Sequence, residues 1–221
     1  MADQSSRAGE RYASAQILDY AARTHHPEDR ALDRAFDAPA RHGMPEIQLG
    51  PAEGRVLELL LRLTRARKIV EVGTLAGYSA LWIARALPAD GHLWTIEANP
   101  KHAGVAAEVI GEAGFGDRVT ILRDDAAEIL PKLSDSGPFC AVFLDADKGR
   151  YDVYGRWAAE NLRTGGLLIG DNAYLFGRLL EDSEEARAMR RFHEEMAVNF
   201  DSVCVPTPDG LAVGVKVAPV A

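Results

Sequence analysis

The chain has 221 residues, 47% of them hydrophobic, enough for one sizeable core. Its 33 acidic residues outnumber 25 basic ones and leave a net charge of −8, which argues against a nucleic-acid partner, because phosphate-backbone binders gather Lys and Arg; a small ligand is expected instead. No apolar run approaches the roughly twenty residues of a membrane span, and residues 1–11 are polar where a signal peptide needs an apolar stretch, so a cytoplasmic location without a membrane partner is expected.

Residues 1–10 read as disordered, and 11–67 as a helical cap with helices over 12–24, 27–37 and 51–65. Between the last two, residues 41–50 are rich in turn formers and predict a loop lying over a site. From Lys68 strand and helix patterns alternate. Strands are expected at 68–72, 93–97, 118–122, 139–145 and 166–171, with helices near 78–87, 100–113, 124–133, 150–162 and 182–197. Alternation at this pitch means an α/β fold, a mostly parallel Rossmann-like sheet with helices on both faces. The ending departs from that pattern: Ser202-Val203-Cys204-Val205, a Pro206-Thr207-Pro208-Asp209-Gly210 turn and residues 211–217 read as a hairpin, which forces an antiparallel strand. A single domain is expected, with the cap over 1–67 and the core over 68–221. Cys140 and Cys204 lie far apart in apolar contexts and read as buried reduced thiols, and the six histidines, without ligand spacing, read as surface or structural.

The first strand carries the organising stretch, Ile69-Val70-Glu71-Val72-Gly73-Thr74-Leu75-Ala76-Gly77-Tyr78-Ser79. A β-branched run breaking into glycines and then into a 3.6-residue apolar period reads as strand, tight turn and helix. The glycines let the backbone approach a ligand, toward which the free N–H groups of the next helix point. The dinucleotide fingerprint needs a glycine spacing that is absent here, which disfavours an NAD-dependent dehydrogenase. Glu71-x-Gly73-x-x-x-Gly77 instead has the outline of the acidic glycine loop of S-adenosylmethionine (SAM) methyltransferases, with Leu75 at the middle glycine. The next strand ends in Glu97, an acid placed to bind a ribose diol. Gly77-Tyr78-Ser79 half resembles a hydrolase elbow but lacks its final glycine and a histidine partner.

Two later strands end in acids, Asp145-Ala146-Asp147-Lys148 and Asp171-Asn172. Carboxyl ends of neighbouring strands converge on one crevice in an open α/β sheet, so both clusters should stand beside the Gly73 loop. Two carboxylates and an amide form an all-oxygen set, which suits Mg²⁺ or another hard divalent cation and leaves about three positions for substrate and water.

Val70-Glu71-Val72-Gly73-Thr74-x-x-Gly77-Tyr78-Ser79, Asp145-Ala146-Asp147-Lys148-x-x-Tyr151-x-x-Tyr154 and Gly165-Gly166-x-x-x-x-Asp171-Asn172 together resemble the cation-dependent, SAM-dependent O-methyltransferases of the catechol and caffeoyl-CoA type. The similarity runs over roughly residues 43–217, and the mixed sheet ending is that family's variant of the fold. The resemblance implies that Glu97 binds the ribose and that Gly73, Thr74 and Ser79 hold the methionine part with Glu71 nearby. It places Ile47 and Leu49 over the cofactor, Asp125 and Ala126 at the adenine, and Asp147 within reach of SAM. It makes Asp145, Asp171 and Asn172 the metal ligands, puts Asp145 near the cofactor as well, and makes Lys148 with Asp145 the catalytic pair. A small catechol or phenolic acceptor and a homodimer follow as family expectations. Two departures leave the acceptor open: the basic N-terminal segment of the plant caffeoyl-CoA enzymes has no secure counterpart, and the hairpin offers Pro206, Thr207 and Asp209 where mammalian catechol enzymes carry a glutamate. A SAM-binding regulator without turnover is the alternative from another class, disfavoured by Lys148 and the acid clusters.

Overall fold

The computed structural model describes residues 14–25 and 29–218. The disorder read for residues 1–10, and the first residues of the two N-terminal helices, lie outside the described residues. Helix α1 (Ala15–His25) buries no side chain, whereas α2 (Arg30–Arg41) and α3 (Pro51–Leu63) pack on the α/β core. That core runs β1 (Lys68–Val72), α4 (Tyr78–Ala86), β2 (His92–Ile96), α5 (Pro100–Glu112), β3 (Val119–Leu122), α6 (Ala126–Leu133) and β4 (Phe139–Leu144). It continues with α7 (Tyr151–Asn161), β5 (Leu162–Gly170), α8 (Glu184–Asn199), β6 (Phe200–Val205) and β7 (Leu211–Lys216).

Helix α2 starts later and runs further than its sequence pattern predicts. Asp29 accepts from the N–H groups of Ala31 and Leu32 and so fixes the start at Arg30. The helix continues through Pro39 for one more turn, until Met44 N–H bonds Pro39 O and Gly43 takes φ +58°. Strand β5 also starts earlier than the expected residue 166, at Leu162, where a register shift between Phe139 and Ala141 takes up the extra residues before Leu167.

Among the described residues the strands form one sheet in the order β3-β2-β1-β4-β5-β7-β6, parallel from β3 to β5 and antiparallel where β7 meets both β5 and β6. Alternation along the strands sorts side chains between two helical layers. Ile69, Leu93, Ala141, Phe143 and Ile169 pack toward Leu57, Leu61, Trp82 and Ile110 of α3, α4 and α5. Val70, Val72, Val142, Leu144 and Leu168 face Leu130, Tyr154, Met189 and Phe192 of α6, α7 and α8. The chain order reverses between β1 and β4, and an open sheet leaves a crevice beyond the carboxyl ends of its strands at such a point. No helix among the described residues is long and apolar enough to cross a membrane.

Candidate active site

That crevice holds a cavity of about 710 Å³, a size suited to a cofactor together with a small acceptor. Its acids are placed by backbone bonds that extend the parallel ladder one residue beyond each strand. Gly73 N–H donates to Ile96 O (3.0 Å), Glu97 N–H to Leu122 O (3.0 Å), Asp145 N–H to Val72 O (2.9 Å) and Asp171 N–H to Leu144 O (2.9 Å). Gly73 has no alternative there: its φ is +97°, and a Cβ would lie 2.0 Å from Asp145 O. Gly77 caps α4 at φ +87°, and Leu75, at the position of the missing middle glycine, also takes a positive φ of 49°.

Leu75 is held in that conformation by Glu97. The carboxylate accepts from Leu75 N–H (2.9 Å) through Oε2 and from Asn99 N–H (2.9 Å) through Oε1, with His102 Nδ1 3.6 Å from Oε1. Each oxygen keeps a further lone pair, so a fixed and largely buried acceptor pair faces the cavity. His102, which reads as surface or structural from sequence, stands in the cavity wall.

Glu71 behaves differently from the other residues assigned to the cofactor. It has no solvent exposure and does not line the cavity, because it shares the Ile69 face of β1 and points toward α4. Its register partner Thr95 donates to Oε2 (2.6 Å), and Thr95 Oγ1 lies 2.5 Å from Thr74 Oγ1. The two threonine hydroxyls thus share one hydrogen bond that links the Gly73 loop to Glu71. Burial pushes the Glu71 carboxyl up to about 8, against the Ser79 and Thr95 hydroxyls, which favour its charged form. Glu71 therefore supports the loop from behind. Ile47, Leu49, Gly73, Thr74, Ser79 and Glu97 line the cavity directly, as do Asp125, Ala126 and Asp147. Ile47 is 70% exposed at the mouth, whereas Leu49 is buried.

At the other end Asp145, Lys148 and Asn172 line the cavity, with Asp171 beside them at 6% exposure but outside the lining. Lys148 Nζ donates to Asp145 Oδ1 (2.9 Å) and to Tyr151 Oη (2.8 Å). Burial, and then the charge of Asp145, raises the Asp171 carboxyl to about 7, while the Asn172 N–H favours its ionised form. Asn172 sits at φ +53°, in a loop pinned to the β6–β7 turn by Ala173 N–H to Gly210 O and Phe176 N–H to Asp209 Oδ1. Two mutually repelling carboxylates and an amide, all oxygen donors, fit a hard divalent cation, whose charge would relieve that repulsion. Among the described residues no group of three His, Cys, Asp or Glu side chains offers a competing set.

Sequence reading missed Arg150 and Phe176 in the same wall. Arg150 grips both oxygens of Asp125 (2.8 and 2.6 Å) and approaches Asp147 (3.5 Å), joining the loops after β3 and β4 across the cavity rim. Neither the arginine nor the phenylalanine lies in a spacing that signals a ligand. Both half-buried cysteines are free thiols outside the cavity lining.

A sequence model described as O-methyltransferase matches residues 23–217. The chain belongs to the O-methyltransferase family. The catechol O-methyltransferase of Niastella koreensis is 40% identical over 200 residues, covering 85% of this chain and 90% of that one. The catechol O-methyltransferase of Mycobacterium tuberculosis is 38% identical over 162 residues, 73% of each. Among solved structures, the O-methyltransferase TomG of Streptomyces achromogenes, involved in tomaymycin synthesis and determined in complex with SAM, is 34% identical at a TM-score of 0.85, covering 92% of this chain and 96% of that one. The fold and the family of this O-methyltransferase thus match the expectation from its sequence.

Proposed function

We propose that this O-methyltransferase moves the methyl group of SAM to one hydroxyl of a small catechol-type acceptor, with a divalent cation held by Asp145, Asp171 and Asn172. The observation that carries the reading is one cavity with a locked carboxylate, Glu97, at one end and Lys148 among oxygen donors at the other. When bound, SAM supplies an electrophilic methyl carbon, and the cation draws electron density from the two vicinal oxygens of the acceptor.

The chain's residues do the rest. Glu97 accepts from the ribose hydroxyls with the lone pairs its backbone partners leave free. Thr74 and Ser79 offer oxygens to the methionine part, and Ile47 and Leu49 shield it from water. Lys148 takes the hydroxyl proton as the oxygen–carbon bond forms and the electron pair of the broken carbon–sulfur bond returns to sulfur. Holding both reactants in line is the largest contribution, since orientation accounts for roughly 7 to 11 kcal/mol of barrier in well-placed pairs. Asp147 belongs to the cofactor side through its place beside Arg150 and Asp125. The family expectation of a homodimer and the sequence-based expectation of a cytoplasmic location accompany this reading, and sedimentation tests the first.

The test is methyl transfer from labelled SAM to a panel of vicinal diols and matched monophenols. Product from the diols with little from the monophenols is expected. Equal rates on both would remove the two-oxygen acceptor from the reading.

A further inference from the structure

Tyr151 is a motif residue that the chemistry above leaves without a task. It opens α7, is wholly buried, and packs edge-on against Phe192 with ring centroids 5.3 Å apart. Its hydroxyl lies 2.9 Å from Leu144 O and 3.0 Å from Asp171 O, the backbone carbonyls at the ends of β4 and β5. Both of those are acceptors only, so the phenolic proton stays on their side and the oxygen is left to accept. The donor it accepts from is Lys148 Nζ at 2.8 Å.

We infer that Tyr151 is a positioning residue that aims the Lys148 amine at the acceptor hydroxyl. The inference rests on the methyltransferase reading above. Lys148 Nζ is held by two hydrogen bonds, to Asp145 Oδ1 and to Tyr151 Oη, and these two contacts fix where the amine stands in the cavity wall that Lys148 lines. The two anchors are not equivalent. Asp145 would share its carboxylate with the cation, whereas the other partners of Tyr151 are the main-chain carbonyls of Leu144 and Asp171. Tyr151 is thus the anchor that ties the position of the amine to the backbone. A purely structural tyrosine, stitching β4 to β5, would influence folding and ligand affinity without selecting the methyl-transfer step.

The experiment is Tyr151→Phe in the full chain, assayed with SAM, Mg²⁺ and 3,4-dihydroxybenzoate, alone and in the Lys148→Met background. The expected result is a kcat lower by about tenfold or more, the scale of a misaligned reacting group, with KM and the SAM dissociation constant within about twofold. In the Lys148→Met background the same change should alter kcat by less than about twofold, because residues acting as one unit are not additive. Unchanged kcat in Y151F, an equal fall in both backgrounds, or a loss confined to KM or SAM affinity would overturn the inference. If Y151F does not fold, p-aminophenylalanine at this position keeps a donor for the carbonyls and offers the lysine a poorer acceptor; it should lower kcat at constant KM, and a wild-type kcat would overturn the inference. A wild-type enzyme that methylates no vicinal diol would sink the functional reading and this inference together, whereas an active wild type with an unaffected Y151F sinks the inference alone.

Discussion

Replacing Glu97 by alanine should affect cofactor affinity through two separable routes. The carboxylate is placed to accept from both ribose hydroxyls, and hydrogen bonds to a charged group contribute roughly 1.5 to 3 kcal/mol each. Two of them would give about 3 to 6 kcal/mol if additive, or about 10² to 10⁴ in affinity at 1.4 kcal/mol per tenfold. The same carboxylate also holds Leu75 N–H at 2.9 Å, and with it the positive φ of the glycine loop, so E97A loosens the loop that carries Thr74. Calorimetry with S-adenosylhomocysteine and with its 2′-deoxy analogue separates the routes. Wild-type protein should lose affinity for the deoxy analogue, and E97A should bind both ligands weakly and nearly equally, with a coupling energy of about one charge-assisted hydrogen bond. An E97A protein that still discriminates between the two ligands by the wild-type factor would refute the ribose role and leave Glu97 as a loop anchor.

Lys148→Met should lower kcat by about 10² to 10⁴ at little-changed KM, as loss of a general base does, whereas Asp171→Ala should impair acceptor binding and rate together; steady-state kinetics on both variants distinguishes them. Glu71 sets a pH dependence. Its carboxyl titrates near 8 when folded and near 4.5 as an ordinary glutamate, so the folded state binds the proton more tightly. The stability this gives is fully present below about pH 4.5 and is lost as pH rises through 8, a change of a few kcal/mol to which Asp171 adds below about pH 7. Denaturation of Glu71→Gln across pH 5 to 9 should show a flatter profile than wild type, and an identical slope would clear Glu71 of the effect. Gly73→Ala should lower the melting temperature by several degrees and weaken SAM, because φ +97° and the 2.0 Å approach to Asp145 O leave no room for a methyl group; unaltered thermal stability would count against that contact.

The sheet was legible because β-branched runs ending in Gly or Asp punctuate this sequence at a regular pitch, and the hairpin because Pro206-Thr207-Pro208-Asp209-Gly210 has the chemistry of a turn. Glu97, Asp145 and Asp171 could be placed from strand ends alone. The inward course of Glu71 could not, since a parallel strand buried on both faces carries no polar alternation to show which way each side chain turns. Nor was the extra turn of α2 beyond its expected end at residue 37 legible, because Pro39, whose missing N–H removes one hydrogen bond, still permits the turn that Met44 closes. His102 in the first turn of α5 and Arg150 two residues beyond Lys148 stand close in sequence to site residues, yet their spacing signals no ligand, and Phe176 is brought in by its loop's bond to Asp209. Tyr151 stood in a recognised motif, but its bonds to two strand ends became visible only once β4 and β5 were side by side.

The central claim is that cofactor binding and methyl transfer use separate ends of one cavity, Glu97 with the Gly73 loop at one and the oxygen donors with Lys148 at the other. Parallel measurement of SAM affinity and catechol methylation after exhaustive chelation, and again after adding Mg²⁺, tests it most directly. The account predicts a SAM dissociation constant unchanged within about twofold across the three conditions, methylation abolished by the chelator, and full recovery with Mg²⁺. Full turnover in the chelated protein would contradict it.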